Sequence, residues 1–221
     1  MAFQDYSLIQ APMAGGLSTA DVVAGASRAG ALGSVGAGYL SGDAIMAAAE
    51  GVRAAGGDAF AINLFIPAER DATDAEWRAA LKALAPCYRQ GEVPLPDHFP
   101  KLPDFREQFE AMLEARPAVF SWTFGRLPKS MMAACRARGI ALVGTATHRD
   151  EALALADEIV VMNNAVIEQA GAARDVFNAP RTEFVARFMG GHNVIALPQG
   201  HFALRNDLTR LAPEPGARLG G

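Results

Sequence analysis

The sequence contains few of the residues from which common functional sites are built. It has two cysteines and four histidines in 221 residues. The cysteines, Cys87 and Cys135, lack the spacing of metal ligands, so they are expected to be free thiols, as in a reducing cytoplasm. No Gly-x-x-x-x-Gly-Lys-Ser/Thr motif occurs, which excludes ATP hydrolysis at a phosphate-binding loop of that kind.

Charge and hydropathy exclude two further classes of protein. The net charge is −4 and the lysines and arginines are scattered, so no basic patch indicates nucleic-acid binding. The apolar runs are interrupted before the roughly 20 residues that a membrane span needs, and the segment Met1–Asp5 does not resemble the start of a signal peptide. With 51% hydrophobic and 20% charged residues, the sequence predicts a globular protein of the cytoplasm.

Short apolar strands alternate with alanine-rich helical segments over the first two thirds of the chain. This alternation is typical of βα units around a parallel sheet. The fold class predicted is α/β, an incomplete (β/α) TIM-type barrel of five to six βα units. The predicted strands are 8–12, 31–35, 59–65, 118–122 and 140–144, and the predicted helices are 20–29, 43–55, 74–88, 105–115 and 128–138.

The pattern changes near Asp157, so residues 1–157 are predicted to be the N-terminal part of the barrel and 158–221 a small, mixed, partly β tail. The run Glu158–Met162 has the apolar character of a buried parallel strand. Preceded by a helix over 150–156, it is expected to pair with the fifth strand as a sixth barrel strand. The tail is further predicted to contain a short strand, Ala165–Gln169, and a helix, Thr182–Phe188.

Glycine-rich segments lie where the first two predicted strands end, at 10–16 and 33–38. In a (β/α) barrel the loops after the strands build the active site, and glycine lets backbone amides approach a ring or a phosphate closely. The second segment does not have the dinucleotide-binding spacing and follows the second strand, which argues against a nicotinamide cofactor. Asn63 ends the third strand, where its amide can serve either as a hydrogen-bonded core group or as a ligand-binding group.

Five segments resemble the nitronate monooxygenase family, formerly called 2-nitropropane dioxygenases, in order and spacing. The resemblance extends over residues 5 to about 157. It implies non-covalently bound FMN and the oxidation of alkyl nitronates, small-molecule substrates, with molecular oxygen. The segments are Ile9–Thr19, Leu32–Leu40, Ala61–Phe65, Ser121–Gly125 and Val143–Thr147.

The same resemblance implies which residues hold the cofactor. An isoalloxazine ring needs an apolar slot with a few fixed donors and acceptors. The backbone at Ala11, Pro12 and Met13 would lie against the ring, and Asn63 would donate or accept a hydrogen bond with it. Gly144 and Thr145 would flank the cofactor from the fifth strand.

The sequence departs from the family after its fifth strand. The family's catalytic histidine and phosphate-binding glycines, which follow later strands, have no counterpart in context, so the catalytic residue is unassigned and any activity is expected to be impaired. His192 follows two glycines but comes too late in the chain, after a helix. The other histidines, His98, His148 and His201, are interpreted as surface or loop residues. Open barrel edges further predict self-association.

Residues 151–221 resemble the C-terminal end of an ABC transporter ATP-binding subunit. The matching segments include Glu151–Asn163, Ile167–Gln169 and Thr182–Gly190. In that family the segment leads into a small β-rich regulatory domain, while the signature loop and the acidic magnesium-binding strand are missing here. The alternatives to an impaired flavoenzyme are therefore a non-catalytic fragment of such a subunit and an inactive fusion of two fragments.

Overall fold

The computed structural model describes residues 6–67, 72–96, 102–147, 152, 156–190, 194–196 and 202–204. The chain divides into two compact units, Met1–Thr145 and Ala146–Gly221. This boundary comes before residue 157, where the sequence pattern changes.

The N-terminal unit alternates helices and strands, as the sequence predicted. Its elements, in chain order, are α1 (Ala20–Arg28), β1 (Gly33–Gly36), α2 (Gly42–Ala54), β2 (Phe60–Phe65), α3 (Asp74–Gln90), α4 (Phe105–Ala115), β3 (Val119–Thr123), α5 (Lys129–Arg136) and β4 (Ala141–Gly144). Nine of the ten predicted elements of this unit are therefore confirmed, with bounds that shift by a few residues.

The predicted first strand, 8–12, is reduced to a single parallel bridge between Ile9 and Leu32. Leu32 N–H donates to the carbonyl of Leu8 over 3.0 Å, and Gln10 N–H donates to the carbonyl of Leu32 over 2.9 Å. Pairing cannot continue through Pro12, because proline has no N–H to donate.

The four strands form one parallel sheet in the order β1-β2-β3-β4. Because they are parallel, their carboxyl ends lie at the same edge. One face packs on helices, with the Phe120 ring 5.8 Å from that of Phe109 in α4. On the other face, here called the inner face, Leu32, Ala61 and Val119 form a buried cluster.

In the N-terminal unit, four helices begin at a polar side chain that accepts hydrogen bonds from free backbone N–H groups. Thr19, Ser41 and Asp104 cap α1, α2 and α4, and Thr73 with Glu76 forms a capping box at α3. Each cap contributes about 1 kcal/mol. None of the helices in the described ranges combines the length and the hydropathy that a membrane span requires.

The C-terminal unit has its own core. Its elements are β5 (Glu158–Asn163), β6 (Val166–Ala172), α6 (Ala173–Asn178), α7 (Glu183–Met189), β7 (Val194–Ala196) and β8 (Phe202–Leu204). The predicted short strand and the predicted helix over 182–188 are confirmed as β6 and α7, and α6 was not predicted. The buried core residues are Ile159, Val161, Val176, Val185 and Met189.

The prediction that Glu158–Met162 would join the barrel sheet as a sixth parallel strand is wrong. β5 pairs antiparallel with β6 in a separate two-stranded sheet. The turn residues Asn164 and Ala165 both have positive φ, at 47° and 62°, which is the geometry of a tight hairpin turn. Val160 stays 53% exposed, so the strand buries one face and not two. The predicted helix over 150–156 lies largely outside the described residues.

The two cysteines are free and lie in different environments. Cys87 is exposed and Cys135 is buried. Burial raises the pKa of the Cys135 thiol to about 11, against a smaller lowering by the nearby Arg138 guanidinium. Cys135 therefore stays protonated at neutral pH and behaves as a small apolar core residue.

We expect a thiol reagent to reach the exposed Cys87 directly. Cys135 should react more than about a hundredfold more slowly, because its reaction requires local opening. In a Cys87→Ser variant, stability should also fall as pH rises from 9 to about 11, since the unfolded thiol ionises first. Rates are read by absorbance and stability by denaturant melts. Equal native rates for both thiols would contradict the buried position of Cys135.

Candidate functional site

The carboxyl edge of the sheet carries a layer of polar side chains on the inner face. The register aligns Gly36, Asn63, Ser121 and Val143 across the four strands. Asn63 is 5% exposed, and its Nδ2 donates to the Ser121 Oγ over 2.9 Å. This pair lies one inward-facing position above the apolar cluster, so the inner face changes from apolar to polar towards the carboxyl ends.

Residues 10–16, the glycine-rich segment that follows the Ile9 bridge, cross this layer at Gly36. Gln10 turns back to the sheet, where its Oε1 accepts from Ser34 N–H over 3.0 Å. A Cβ added at Gly36 would lie 2.5 Å from the Met13 carbonyl carbon and 2.7 Å from the Ala14 nitrogen. Glycine at position 36 is therefore what lets the two backbones approach.

The glycines of this segment also have unusual backbone conformations. Gly15 and Gly16 have φ values of +84° and +93°, in the left-handed region that favours glycine. Apart from the adjacent residues, no atom of the described chain lies within 4 Å of the Cβ position at either residue. The Met13 N–H donates to the Ser18 Oγ over 2.9 Å, which fixes the shape of the segment. The space beside Gly15 and Gly16 stays open.

The predicted cofactor residues fall into two groups. Ala11, Pro12 and Met13 are exposed, and Met13 lies beside Gly36, the partner of Asn63 in the register. Gly144 and Thr145 lie at the same edge of the sheet, but at the end of β4, so β3 separates them from Asn63 on β2.

Gly144 has a packing role that the sequence did not indicate. A Cβ there would meet the Trp122 indole at 2.6 Å, so Gly144 leaves room for Trp122 on the helix-packed face. The Thr145 N–H donates to the Trp122 carbonyl over 3.0 Å.

Two hydroxyl residues on the inner face of β3, Ser121 in the layer and Thr123 just above it, were missed in the sequence. Ser121 binds Asn63, and the Thr123 Oγ1 is buried with no hydrogen-bond partner among the described residues. Strand alternation could have found both, because residues two apart in β3 lie on the same face. A buried hydroxyl without a partner is costly and indicates a position where a ligand group can be bound.

Three aromatic rings stand above the layer, where β1 to β3 end. Phe65 is 5.5 Å from Tyr39 and 5.2 Å from Phe124 between ring centroids, both edge to face. Tyr39 is 58% and Phe124 71% exposed. Phe124 also has a φ of 68°, which is unfavourable for a residue with a bulky side chain.

Gln108 of α4 fixes the loop that carries Tyr39. It is 2% exposed, and its Nε2 donates to the carbonyls of Leu40 over 2.7 Å, Ala37 over 3.2 Å and Gly38 over 3.3 Å. Nothing in the sequence marked Gln108, because its partners are backbone groups about 70 residues away.

No histidine can be located in this site. His98, His148, His192 and His201 all lie outside the described residues. Within the described part of the chain, no group of three or more histidine, cysteine, aspartate or glutamate residues could hold a metal. A depression lined by Glu110, Leu113, Glu114, Arg116 and Arg138 lies at the other end of the sheet, where β3 and β4 begin, and is not part of this site.

Comparisons with known proteins agree with the parallel sheet. A family model described as nitronate monooxygenase matches residues 2–172. A probable nitronate monooxygenase of Staphylococcus aureus is 29% identical over 184 residues, which are 81% of this chain and 50% of that protein. The crystal structure of a nitroalkane oxidase from Streptomyces ansochromogenes is similar with a TM-score of 0.58 and 28% identity, covering 68% of this chain and 44% of that one. The sheet is therefore part of an incomplete TIM-type barrel.

A second similarity concerns a shorter stretch. The spermidine/putrescine import ATP-binding protein PotA of Bacillus anthracis is 38% identical over 79 residues, or 35% of this chain and 24% of that protein. The chain thus spans half or less of the length of the curated relatives that it matches. Both resemblances inferred from the sequence are confirmed.

We predict that Gly36→Ala will lower the free energy of unfolding by about 1–3 kcal/mol, because the new methyl group overlaps the Met13 backbone. Gly25→Ala is the matched control: its Cβ would meet the Arg28 Nη2 atom, at 3.9 Å, which is ordinary contact, and alanine is favoured in a helix by about 0.5–1 kcal/mol. Denaturant melts compare the two. Equal stability of the two variants would show that the segment does not lie against Gly36.

Gln108→Met should lower the free energy of unfolding by about 1–3 kcal/mol, because the three loop carbonyls would lose a buried donor. Gln90→Met, at the exposed end of α3, removes the same amide without burying a carbonyl and should be close to neutral. Urea melts of the two variants give the comparison. A neutral Gln108→Met would mean that water replaces the side chain.

Proposed function

Because the chain belongs to the nitronate monooxygenase family, we propose that its N-terminal unit is the flavin-ring half of an FMN-dependent oxidoreductase site for alkyl nitronates. The observation that carries the proposal is the position of Met13, Gly36 and Asn63 together at the carboxyl edge of a parallel sheet. Catalytic groups of (β/α) barrels lie at this edge.

The residues present suit a flavin ring. Asn63 offers an amide in a mostly apolar setting, and Thr123 offers a hydroxyl that has no hydrogen-bond partner among the described residues. Gly15 and Gly16 leave their backbone open to a flat ligand. FMN, when bound, would supply the redox chemistry by which a nitronate is oxidised and molecular oxygen reduced.

The chain's own residues would orient the ring and keep water from one side of it. Asn63 is held by Ser121, so its amide is fixed before a ligand arrives and little entropy is lost on binding. The exposed Met13 side chain and the neighbouring backbone would cover one face of the ring. We assign no proton-transfer step, because the family's catalytic histidine has no counterpart in context.

The same reasoning predicts weak cofactor binding and impaired turnover. The family's phosphate-binding glycines, which follow later strands, have no match in this sequence. A phosphate dianion without prearranged amides loses hydration with little return. We therefore propose that flavin affinity comes from the ring and that nitronate oxidation by this chain is slow.

The outer edge of β4 supports a proposal of self-association. Among the described strands, β4 pairs only with β3, so its other edge offers backbone groups to a further strand.

The cellular location is a separate proposal. Two free thiols suit the reducing cytoplasm, and we propose that location.

Flavin titration tests the proposed function. We expect FMN to bind with a dissociation constant above 1 µM (roughly −8 kcal/mol) and riboflavin, which lacks the phosphate, to bind about as well. Asn63→Ala should weaken both by roughly threefold to tenfold, as the loss of one hydrogen bond does. Flavin fluorescence quenching gives the constants.

Asn163→Ala is the matched control, because it removes an amide that contacts Glu168 in the other unit. Sub-micromolar FMN binding would contradict the weak-phosphate prediction. Undetectable binding of both flavins, or equal binding by the two alanine variants, would overturn the assignment of the site.

A further inference from the structure

Three unusual features occur together at the carboxyl ends of β2 and β3, and the packing of the fold explains none of them. The Thr123 hydroxyl is buried and has no hydrogen-bond partner in the part of the chain that the structure describes. The next residue, Phe124, has a left-handed backbone and a ring that is 71% exposed. Backbone strain and exposed large apolar groups both cost stability, and both occur preferentially at ligand sites.

Tyr39, Phe65 and Phe124, here called the aromatic cluster, form one connected surface. Gly38 makes this possible, because a Cβ there would lie 2.3 Å from the Phe65 ring. Gln108 holds the carbonyls on both sides of Tyr39. The cluster is therefore held in place from two directions, although its outer rings are exposed.

The aromatic cluster lies at a definite distance from the candidate reaction site. Phe65 follows Asn63 by two residues on the same face of β2, which is about 7 Å along the strand. A methyl or ethyl group on a nitronate held near Asn63 would not span that distance, whereas a phenyl group or a bulky branched chain would reach the rings.

We propose that the aromatic cluster binds the organic group of the substrate and selects nitronates with an aryl or bulky apolar substituent over short alkyl nitronates. This proposal rests on the proposed function, since it takes the nitronate group to lie near Asn63. Edge-on contacts between aromatic rings, added to the burial of apolar surface, provide the preference.

The position of Phe124 allows a test that separates binding from folding. Phe124→Gly deletes the exposed ring and places at φ 68° the residue that adopts this conformation without strain. The variant should therefore keep its melting temperature within a few degrees while it loses the ring contact. Phe188→Ala, which removes a ring that is 43% exposed in the other unit, is the matched control.

The measurement is the ratio of the dissociation constants of two nitronate anions, from nitroethane and from phenylnitromethane, for the flavin-free full chain. Ligand-observed NMR gives both constants without turnover. The wild-type chain should bind the phenyl compound about tenfold more tightly, and Phe124→Gly should reduce this ratio to about threefold or less. Phe188→Ala should leave it unchanged. Should Phe124→Gly fail to fold, Tyr39→Ala takes its place with the same expected reduction.

A wild-type ratio near one, or an unchanged ratio in Phe124→Gly, would overturn the proposal. Flavin titration of the same samples separates this failure from that of the proposed function. Flavin binding without an aryl preference overturns the aromatic cluster alone. An aryl preference without flavin binding supports the cluster and overturns the flavin site.

Discussion

The approach of two backbones at Gly36 is the constraint on which the candidate site depends. The Met13–Ala14 peptide occupies the space that a side chain at position 36 would fill. Without that approach, the glycine-rich segment could not lie over the inner face next to Asn63. The hydrogen bonds of Gln10 and Met13 then fix the direction of the segment. The crossing thereby places the open glycines beside the polar layer, which the strand register positions independently.

The sequence predicted the βα elements of the N-terminal unit because their apolar periodicity and capping residues are local. Thr19 and Ser41, for example, precede helices that begin at the next residue. It could not reveal Gln108, whose three partners are distant carbonyls. The role of Gly144 was hidden for the same reason, because its neighbour Trp122 lies on another strand. Ser121 and Thr123 could have been identified from strand alternation alone.

The run Glu158–Met162 shows why an apolar segment does not determine its own partner. Read alone, Ile159 to Met162 suits a strand that is buried on both faces. The residues that follow decide otherwise, since Asn164 and Ala165 reverse the chain within two residues. A hairpin needs no long-range crossover, so it forms at a lower entropic cost than pairing with a distant parallel strand. The C-terminal unit thus completes its own core and does not extend the barrel sheet.

The attachment of the glycine-rich segment through the single Ile9–Leu32 bridge affects both its hydrogen exchange and the affinity of any ligand that it covers. Two main-chain hydrogen bonds and the Gln10 contact tie this part of the segment to β1, whereas β2 and β3 are paired along five residues. Amide protons of the segment should therefore exchange with solvent through local opening, well before those of the central strands. A ligand that needs the segment closed binds only the closed fraction of molecules. Its apparent affinity is lowered in proportion to that fraction, so tighter closure would increase affinity without any new ligand contact.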